Sequence, residues 1–249
     1  MTGQAWRAVE QVMGLPISVA LRGRHAGTRA GAAAWADVVA DLRAVDEMFS
    51  AFKPGSWVSL HNAGEDVEPP PVVREVLVLA DAAREQSDGA FDVWRDGVLD
   101  LDGVVKGWAV QRAARWLREL DDTDSCLSGG GDMACWTADP DGRPWEIGIE
   151  NPLAPDRLVA RVPVRRGAVA TSGTAHRGAH IVDARTGRSP AGPASVTVVG
   201  ADLTWVDIDA TAAFALGADA VPWLRSRAGS TGLVVWGDGS VEAWQAAAA

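Results

Sequence analysis

One stretch decides the fold class of this 249-residue chain: residues 104–132 read VVKGWAVQRAARWLRELDDTDSCLSGGGD. Its first part predicts a helix over about 104–120, because apolar side chains recur every three or four positions, at Val110, Ala114, Leu117 and Leu120. A predicted strand at 126–128 follows and runs into three glycines and Asp132. A helix that leads directly into a strand and a tight turn is typical of a mixed protein with both kinds of element.

The rest of the chain also mixes helices and strands. The predicted helices cover 35–52, 72–86 and 207–217, and the predicted strands cover 16–21, 145–149, 158–164, 168–171, 179–182, 195–199, 232–236 and 241–244. Residues 57–60 are predicted as a short strand or an extended segment. Because the two types do not alternate as strand, helix, strand, the sequence predicts an α+β fold. We expect a single domain over residues 1–249.

The charge balance limits the possible partners. Lys and Arg number 23 against 33 Asp and Glu, which gives a net charge of −10. A protein that binds the nucleic-acid backbone needs a basic surface, so no nucleic-acid partner is expected. An acidic protein can still hold a small anionic ligand through backbone amides and a metal ion. The chain has no Tyr, so catalysis by a phenol is excluded.

The sequence also bears on location and redox state. It contains no run of eighteen apolar residues, and residues 1–14 lack the apolar core of a secretory signal, so no membrane insertion is expected. Cys126 and Cys135 are separated by eight residues and do not form a CxxC pair. We interpret them as two reduced core thiols in a cytoplasmic protein.

Two of the four segments that could carry chemistry are glycine-containing. Gly129-Gly130-Gly131-Asp132 lets backbone amides approach a phosphate or a ring, but a tight turn between strands explains it equally well. Lys106 falls in the first turn of the predicted helix 104–120, where a helix N-terminus favours an anion. A solvated lysine is the alternative at that position.

The other two segments carry carboxylate, hydroxyl and imidazole groups. Asp207 and Thr211 share one face of a predicted helix, and their oxygens suit Mg²⁺, although Asp207 would also serve as a simple helix cap. His180 could act as a general base near neutral pH or could be a buried strand histidine. The residues after it, 183–187, are typical of a hairpin turn.

Taken in order along the chain, these segments resemble the ApbE family of FAD:protein FMN transferases. The similar stretches are Met13-Gly14 before a strand, FSAFKPGS at 49–56, SLHN at 59–62, GAFD at 89–92, LDLDGVVKGWA at 99–109, GGD at 130–132, ATSG at 170–173, HIVDARTG at 180–187 and DIDAT at 207–211. They span nearly the whole chain, and so many motifs in one order are more specific than any one of them.

The resemblance implies an ApbE-like fold of mixed helices and sheets, with an FAD site between lobes. It also implies transfer of the FMN half of FAD onto a Thr or Ser hydroxyl of a target flavoprotein, with Mg²⁺ bound and AMP released. Asp207, Thr211 and a backbone oxygen near Gly103 would bind the metal, and His180 would be the base. The residues that would line the FAD site are Met13, Phe52, Ala90, Phe91, Asp92, Asp100, Lys106 and Ile181.

Three positions depart from the family pattern. Only six residues separate Gly173 from His180, where relatives commonly have a longer segment, and Ala184 replaces a proline. Asp209 lies inside the metal motif at a position that is usually small or apolar, where it would add a ligand or point to solvent. Two other activities stay open at this point: an FAD pyrophosphatase that uses water as the acceptor, and a flavin-binding carrier without chemistry.

Overall fold

An eight-stranded antiparallel sheet forms the centre of the structure, a computed structural model that describes residues 5–175, 178 and 181–246. The strands are β1 (Trp6–Val12), β2 (Leu15–Gly23), β3 (Trp94–Arg95), β4 (Val98–Leu99), β5 (Thr123–Gly129), β6 (Asp132–Trp136), β7 (Trp145–Asn151), β8 (Ala154–Val164), β9 (Gly167–Gly173), β10 (Pro193–Gly200), β11 (Thr231–Trp236) and β12 (Val241–Gln245). In the large sheet the spatial order is β1-β2-β5-β6-β9-β10-β11-β12, while β3 pairs with β4 and β7 with β8.

The helices supply most of the apolar core. They are α1 (Arg29–Phe49), α2 (Trp57–Asn62), α3 (Pro71–Gln86), α4 (Asp102–Ala113), α5 (Arg115–Arg118), α6 (Leu203–Leu216) and α7 (Ala220–Arg225). Helix α6 packs on β9 and β10 and also on α4. Of its 14 residues 11 are buried, so it is enclosed on all sides. Among the residues described, no helix has both the length and the apolar character needed to cross a bilayer.

The large sheet separates two apolar clusters. Ile17, Val19 and Leu21 of β2 pack into the helical core, whereas Ala20 between them belongs to a second cluster. That second cluster is closed by the β7–β8 hairpin, through Trp145, Ile147, Ile149 and Val164. The alternation along β2 follows from the two-residue period of a strand with both faces covered.

Much of the sequence-based prediction is confirmed. The α+β class is confirmed, and the predicted helix 72–86 is α3 with one further residue, Pro71. The predicted strands 16–21, 195–199 and 232–236 lie inside β2, β10 and β11. In addition, Cys126 and Cys135 are free thiols that face each other across β5 and β6, with 3.6 Å between their sulfurs.

Several boundaries differ for identifiable reasons. Residues 57–60 form a helix rather than a strand, because the Ser56 hydroxyl accepts a hydrogen bond from the Ser59 amide at 3.0 Å and caps the first turn. Helix α6 begins at Leu203 and not at 207, because Asp202 caps it by accepting from the amides of Thr204 and Trp205. The predicted strand 179–182 is absent at 181 and 182, while 179 and 180 lie outside the described residues.

Candidate functional site

A cavity of about 850 Å³ opens among the turns and helix ends on one side of the molecule. Its walls come from the β1–β2 turn, the end of α1 and the loop after it, the segment 90–106, the β7–β8 hairpin, the end of β9 and helix α6. A volume of this size is within the range of pockets that hold cofactor-sized ligands, roughly 300–1,000 Å³.

Eleven of the twelve predicted site residues line this cavity. They are Met13, Phe52, Ala90, Phe91, Asp92, Asp100, Gly103, Lys106, Ile181, Asp207 and Thr211. The twelfth, His180, lies outside the described residues, although its neighbour Ile181 is buried in the cavity wall. The structure therefore brings together residues that are spread over about 200 positions of sequence.

Tight turns of the backbone place several of the predicted flavin-site residues in the cavity wall. Met13 lies at the tip of the β1–β2 hairpin, where it and Gly14 both adopt positive φ angles, 57° and 68°. After α3 the chain turns back at Gly89, whose φ is +77° and whose amide donates to the Arg84 carbonyl at 2.8 Å. This reversal buries Ala90 and Phe91 in the wall.

The first turn of α4 lies against the Phe91 ring. A Cβ at Gly103 would approach two ring carbons of Phe91 at 3.0 and 3.1 Å, so a residue larger than glycine would displace the ring or the helix. The predicted carboxylates nearby have local partners. Asp92 pairs with Arg84 at 3.1 Å, and Asp100 accepts from the Asp102 amide at 3.1 Å. Both side chains therefore also hold the loop in shape.

Lys106 lies between two buried carboxylates. Its Nζ is 2.5 Å from Asp132 Oδ2 and 3.0 Å from Asp207 Oδ1. Burial opposes the charge of Lys106, but the attraction of Asp207 and Asp132 outweighs it and leaves the lysine pKa above its usual value. Burial raises the pKa of Asp207 to about 7, with Lys106 opposing the rise and Asp132 adding to it.

Asp207 and Thr211 present oxygens from adjacent turns of α6. Asp207 is 1 % exposed, and its Oδ2 has no hydrogen-bond partner among the described residues. The Thr211 hydroxyl is 3.0 Å from the Ser172 hydroxyl at the end of β9. An unpartnered buried carboxylate oxygen beside a hydroxyl is a donor set that suits a hard divalent cation. The residues present therefore fit the metal expected from the sequence.

These side chains do not form a complete metal cage. Among the described residues no group of three or more His, Cys, Asp or Glu is placed to hold a metal ion. Mg²⁺ commonly takes only one or two protein carboxylates and completes its shell with water and substrate phosphate oxygens. A site with two side-chain oxygens beside a large cavity is therefore consistent with a metal that binds together with a phosphorylated substrate.

The charge of the cavity wall also favours a bound divalent cation. Within the described part of the wall, six side chains are carboxylates and three are cations: Asp46, Asp92, Asp100, Asp102, Glu150 and Asp207 against Lys53, Arg95 and Lys106. A pyrophosphate would meet a surplus of negative charge on this wall. A bound divalent cation would reduce that repulsion.

Sequence reasoning missed three residues of the site. Asp132 and Ser172 lie within the GGD and ATSG motifs, which predict no role for them, and the structure places them against Lys106 and Thr211. Asp132 also accepts a hydrogen bond from the Thr171 amide at 2.9 Å, which ties β6 to β9. Glu150 reaches the cavity from the β7–β8 hairpin, and no sequence signal marked it.

Comparison with known proteins identifies similar sequences. The model described as ApbE family matches residues 13–98 and 93–234. Three similar curated proteins are named FAD:protein FMN transferase. The one from Vibrio cholerae serotype O1 is 33% identical over 100 residues, which are 36% of this chain and 30% of that protein. The one from Rhodobacter capsulatus is 31% identical over 153 residues, 57% of this chain and 29% of that protein.

The third, from Haemophilus influenzae, is 30% identical over 132 residues, 49% of this chain and 38% of that protein. The chain therefore matches less than two fifths of the length of each of these three curated relatives.

Solved structures extend the likeness to the whole chain. The crystal structure of the ApbE protein from Thermotoga maritima has a TM-score of 0.84 at 22% identity, covering 97% of both chains. The flavin transferase ApbE from Vibrio cholerae has a TM-score of 0.80 at 20% identity, covering 97% of this chain and 98% of the other. At this level of identity the likeness establishes a shared fold.

Proposed function

This chain belongs to the ApbE family, and on that premise we propose that it transfers the FMN moiety of FAD onto a Thr or Ser hydroxyl of a target flavoprotein. The reaction forms a phosphoester between the acceptor oxygen and the FMN phosphorus. It breaks the bond from that phosphorus to the bridging oxygen of the pyrophosphate, so that AMP leaves. The acceptor hydroxyl loses its proton to a base.

One observation carries the proposal: all the flavin-site and metal-site residues that the sequence predicts line the same cavity of about 850 Å³. Those residues come from six separate motifs along the chain. They surround a cavity large enough for a dinucleotide, although they are far apart in sequence. The names of the curated relatives, FAD:protein FMN transferase, support the same substrate.

Mg²⁺ is part of this proposal, with Asp207 Oδ2, the Thr211 hydroxyl and a backbone oxygen near Gly103 as its protein ligands. When bound, the metal would polarise the pyrophosphate and neutralise charge on the departing AMP. The acidic wall and the unpartnered Oδ2 of Asp207 support this assignment. Lys106 adds a fixed cation beside the same carboxylate, 3.0 Å from its Oδ1.

The remaining residues bind and orient the flavin nucleotide. Phe91 is buried in the wall and offers a flat apolar surface, and Phe52 lines the cavity while its side chain is 91 % exposed. Aromatic rings in such positions stack on planar ligands. His180 is proposed as the base that accepts the proton of the incoming hydroxyl, because it precedes Ile181 in the wall.

The test is to incubate the protein with FAD and Mg²⁺, with and without an acceptor flavoprotein from the same genome. AMP is followed by chromatography and the acceptor by intact mass. We expect AMP together with an acceptor mass increase of one FMN moiety. AMP at the same rate without any acceptor modification would replace the transferase by an FAD pyrophosphatase. FAD recovered bound and unchanged would replace it by a flavin carrier.

A further inference from the structure

Asp209 lies on the side of α6 that faces away from the proposed metal ligands. Two residues advance a helix by about 200°, whereas the four residues from Asp207 to Thr211 return to nearly the same face. Asp207 and Thr211 line the cavity, and Asp209 does not. Asp209 is nevertheless buried, with 5 % of its surface exposed, so it is neither an added cavity ligand nor a solvated side chain.

The carboxylate of Asp209 is held by Arg227, in the turn after α7. The Arg227 Nε donates to Asp209 Oδ1 at 3.1 Å and to Oδ2 at 3.2 Å, and Nη2 lies 3.0 Å from Oδ1. The guanidinium also lies over the rings of Trp223 and Trp205, at 5.2 and 5.9 Å from their centroids. Two donors on one carboxylate fix its direction more strictly than a single contact does.

Helix α6 has no single apolar stripe that would set its rotation about the helix axis, although close packing against Gly107 of α4 constrains it. A helix with one apolar stripe is oriented by burying that stripe, but α6 is buried on all sides and its polar residues lie on more than one face. Polar contacts at defined positions therefore add to what packing does in setting this rotation. On the cavity side these include Lys106 to Asp207 and Ser172 to Thr211, and on the opposite side they include Asp209 to Arg227. At the start of the helix the Leu203 amide also donates to Gln111 Oε1 at 3.0 Å.

We propose that the Asp209–Arg227 pair is a positioning element that fixes the rotation of α6 and so aims Asp207 and Thr211 into the cavity. This inference rests on the proposed function for its catalytic consequence, but its structural part can be tested without it. A buried ion pair adds little net stability when compared with apolar residues of similar size, and registry is its best-attested use. Removing both partners should therefore separate positioning from stability.

The test compares two double variants. In Asp209→Leu/Arg227→Met the buried pair is replaced by apolar side chains. In the control, Arg225→Met/Glu242→Gln, a neighbouring exposed pair with an N–O distance of 3.2 Å is removed from the same region. We expect both proteins to fold with similar melting temperatures. Only the first should need a higher Mg²⁺ concentration for half-maximal AMP release, by about tenfold, because Mg²⁺ demands near-ideal octahedral geometry and a rotated α6 would displace two of its ligands.

A second readout does not depend on activity. Ser172→Cys and Thr211→Cys place two thiols where the hydroxyls are 3.0 Å apart, in a background in which Cys126 and Cys135 are replaced by Ala. Diamide, a thiol oxidant, takes up the two electrons and two protons as the disulfide forms. We expect rapid cross-linking with the Asp209–Arg227 pair present, and at least several-fold slower cross-linking in the Leu/Met background.

Unchanged cross-linking and an unchanged Mg²⁺ requirement in the Leu/Met protein would overturn the positioning role. If that protein does not fold, Asp209→Asn, which removes the charge and one of the two oxygens that bind Arg227, is measured in the same two assays. Results equal to those of the unaltered protein would then overturn the positioning role. If the unaltered protein releases no AMP, the proposed function is lost, whereas the cross-linking rates still judge the positioning role of the pair.

Discussion

Replacing Gly107 by alanine should harm the site far more than it harms the fold. Gly107 lies where α4 crosses α6, next to Lys106 in the chain. A Cβ built there would be 2.7 Å from the Asp207 Cβ, 2.8 Å from the Leu203 carbonyl oxygen and 2.9 Å from Asp207 Oδ2. Ordinary contacts of a Cβ begin at 3.4 Å, so the Asp207 side chain and the first turn of α6 must move away by several tenths of an ångström.

The expected change in stability is small because two effects oppose each other. Adding a methyl group to a packed interface costs about 1–3 kcal/mol, while replacing glycine by alanine inside a helix gains about 1 kcal/mol. The net loss is at most about 2 kcal/mol, which would lower the melting temperature by roughly 4–8 °C in a chain of this size. Asp207, however, is displaced directly. Because a shift of ~1 Å at a reacting centre can cost up to ~100-fold, we expect AMP release to fall by about tenfold or more.

The assay measures AMP release from FAD at saturating Mg²⁺, together with thermal unfolding by circular dichroism. Gly55→Ala is the matched control, because its Cβ would meet no atom within 4 Å. It should leave both quantities near those of the unaltered protein. A folded Gly107→Ala protein that releases AMP within about twofold of the unaltered rate would refute the reasoning, since a shifted Asp207 must then be irrelevant to the chemistry.

Three further substitutions separate metal binding, its support and flavin binding. Asp207→Asn should lower Mg²⁺-dependent AMP release by about 100-fold or more, because the amide lacks the charge that a metal ligand needs. FAD should still bind, as measured by quenching of flavin fluorescence. AMP release at the unaltered rate would remove Asp207 from the metal site. Ser172→Ala should raise the Mg²⁺ concentration for half-maximal AMP release about fivefold, the equivalent of ~1 kcal/mol. The reason is that the Thr211 hydroxyl loses its hydrogen-bond partner at 3.0 Å. An unchanged midpoint would mean that Thr211 needs no support from Ser172. Phe52→Ala should change the free energy of unfolding by no more than about 0.5 kcal/mol, since the Phe52 side chain is 91 % exposed. It should weaken FAD binding about tenfold, because the stacking contact is lost. Equal FAD affinities of the two proteins would place the flavin elsewhere in the cavity.

The sequence predicted best what is local. The spacing of apolar residues predicted the positions of α1 and α3, and short apolar runs predicted those of β2, β10 and β11. It failed where a single side chain decides the boundary. Ser56 caps α2 and turns an apparently extended segment into a helix, and Asp202 starts α6 before the apolar run that suggested it. Caps of this kind depend on one hydrogen bond, which periodicity does not register.

The arrangement around Lys106 shows why the site could be predicted as a set of residues but not as a geometry. Lys106, Asp132 and Asp207 come from α4, β6 and α6, which are far apart in sequence and meet only because α6 packs between α4 and the sheet. Asp207 could be taken from the sequence as a simple cap, and the structure shows instead a buried carboxylate with one oxygen on a lysine and the other unpartnered. An unpartnered buried oxygen of this kind costs about 1–3 kcal/mol, and the proposed metal would offset that cost by binding to it.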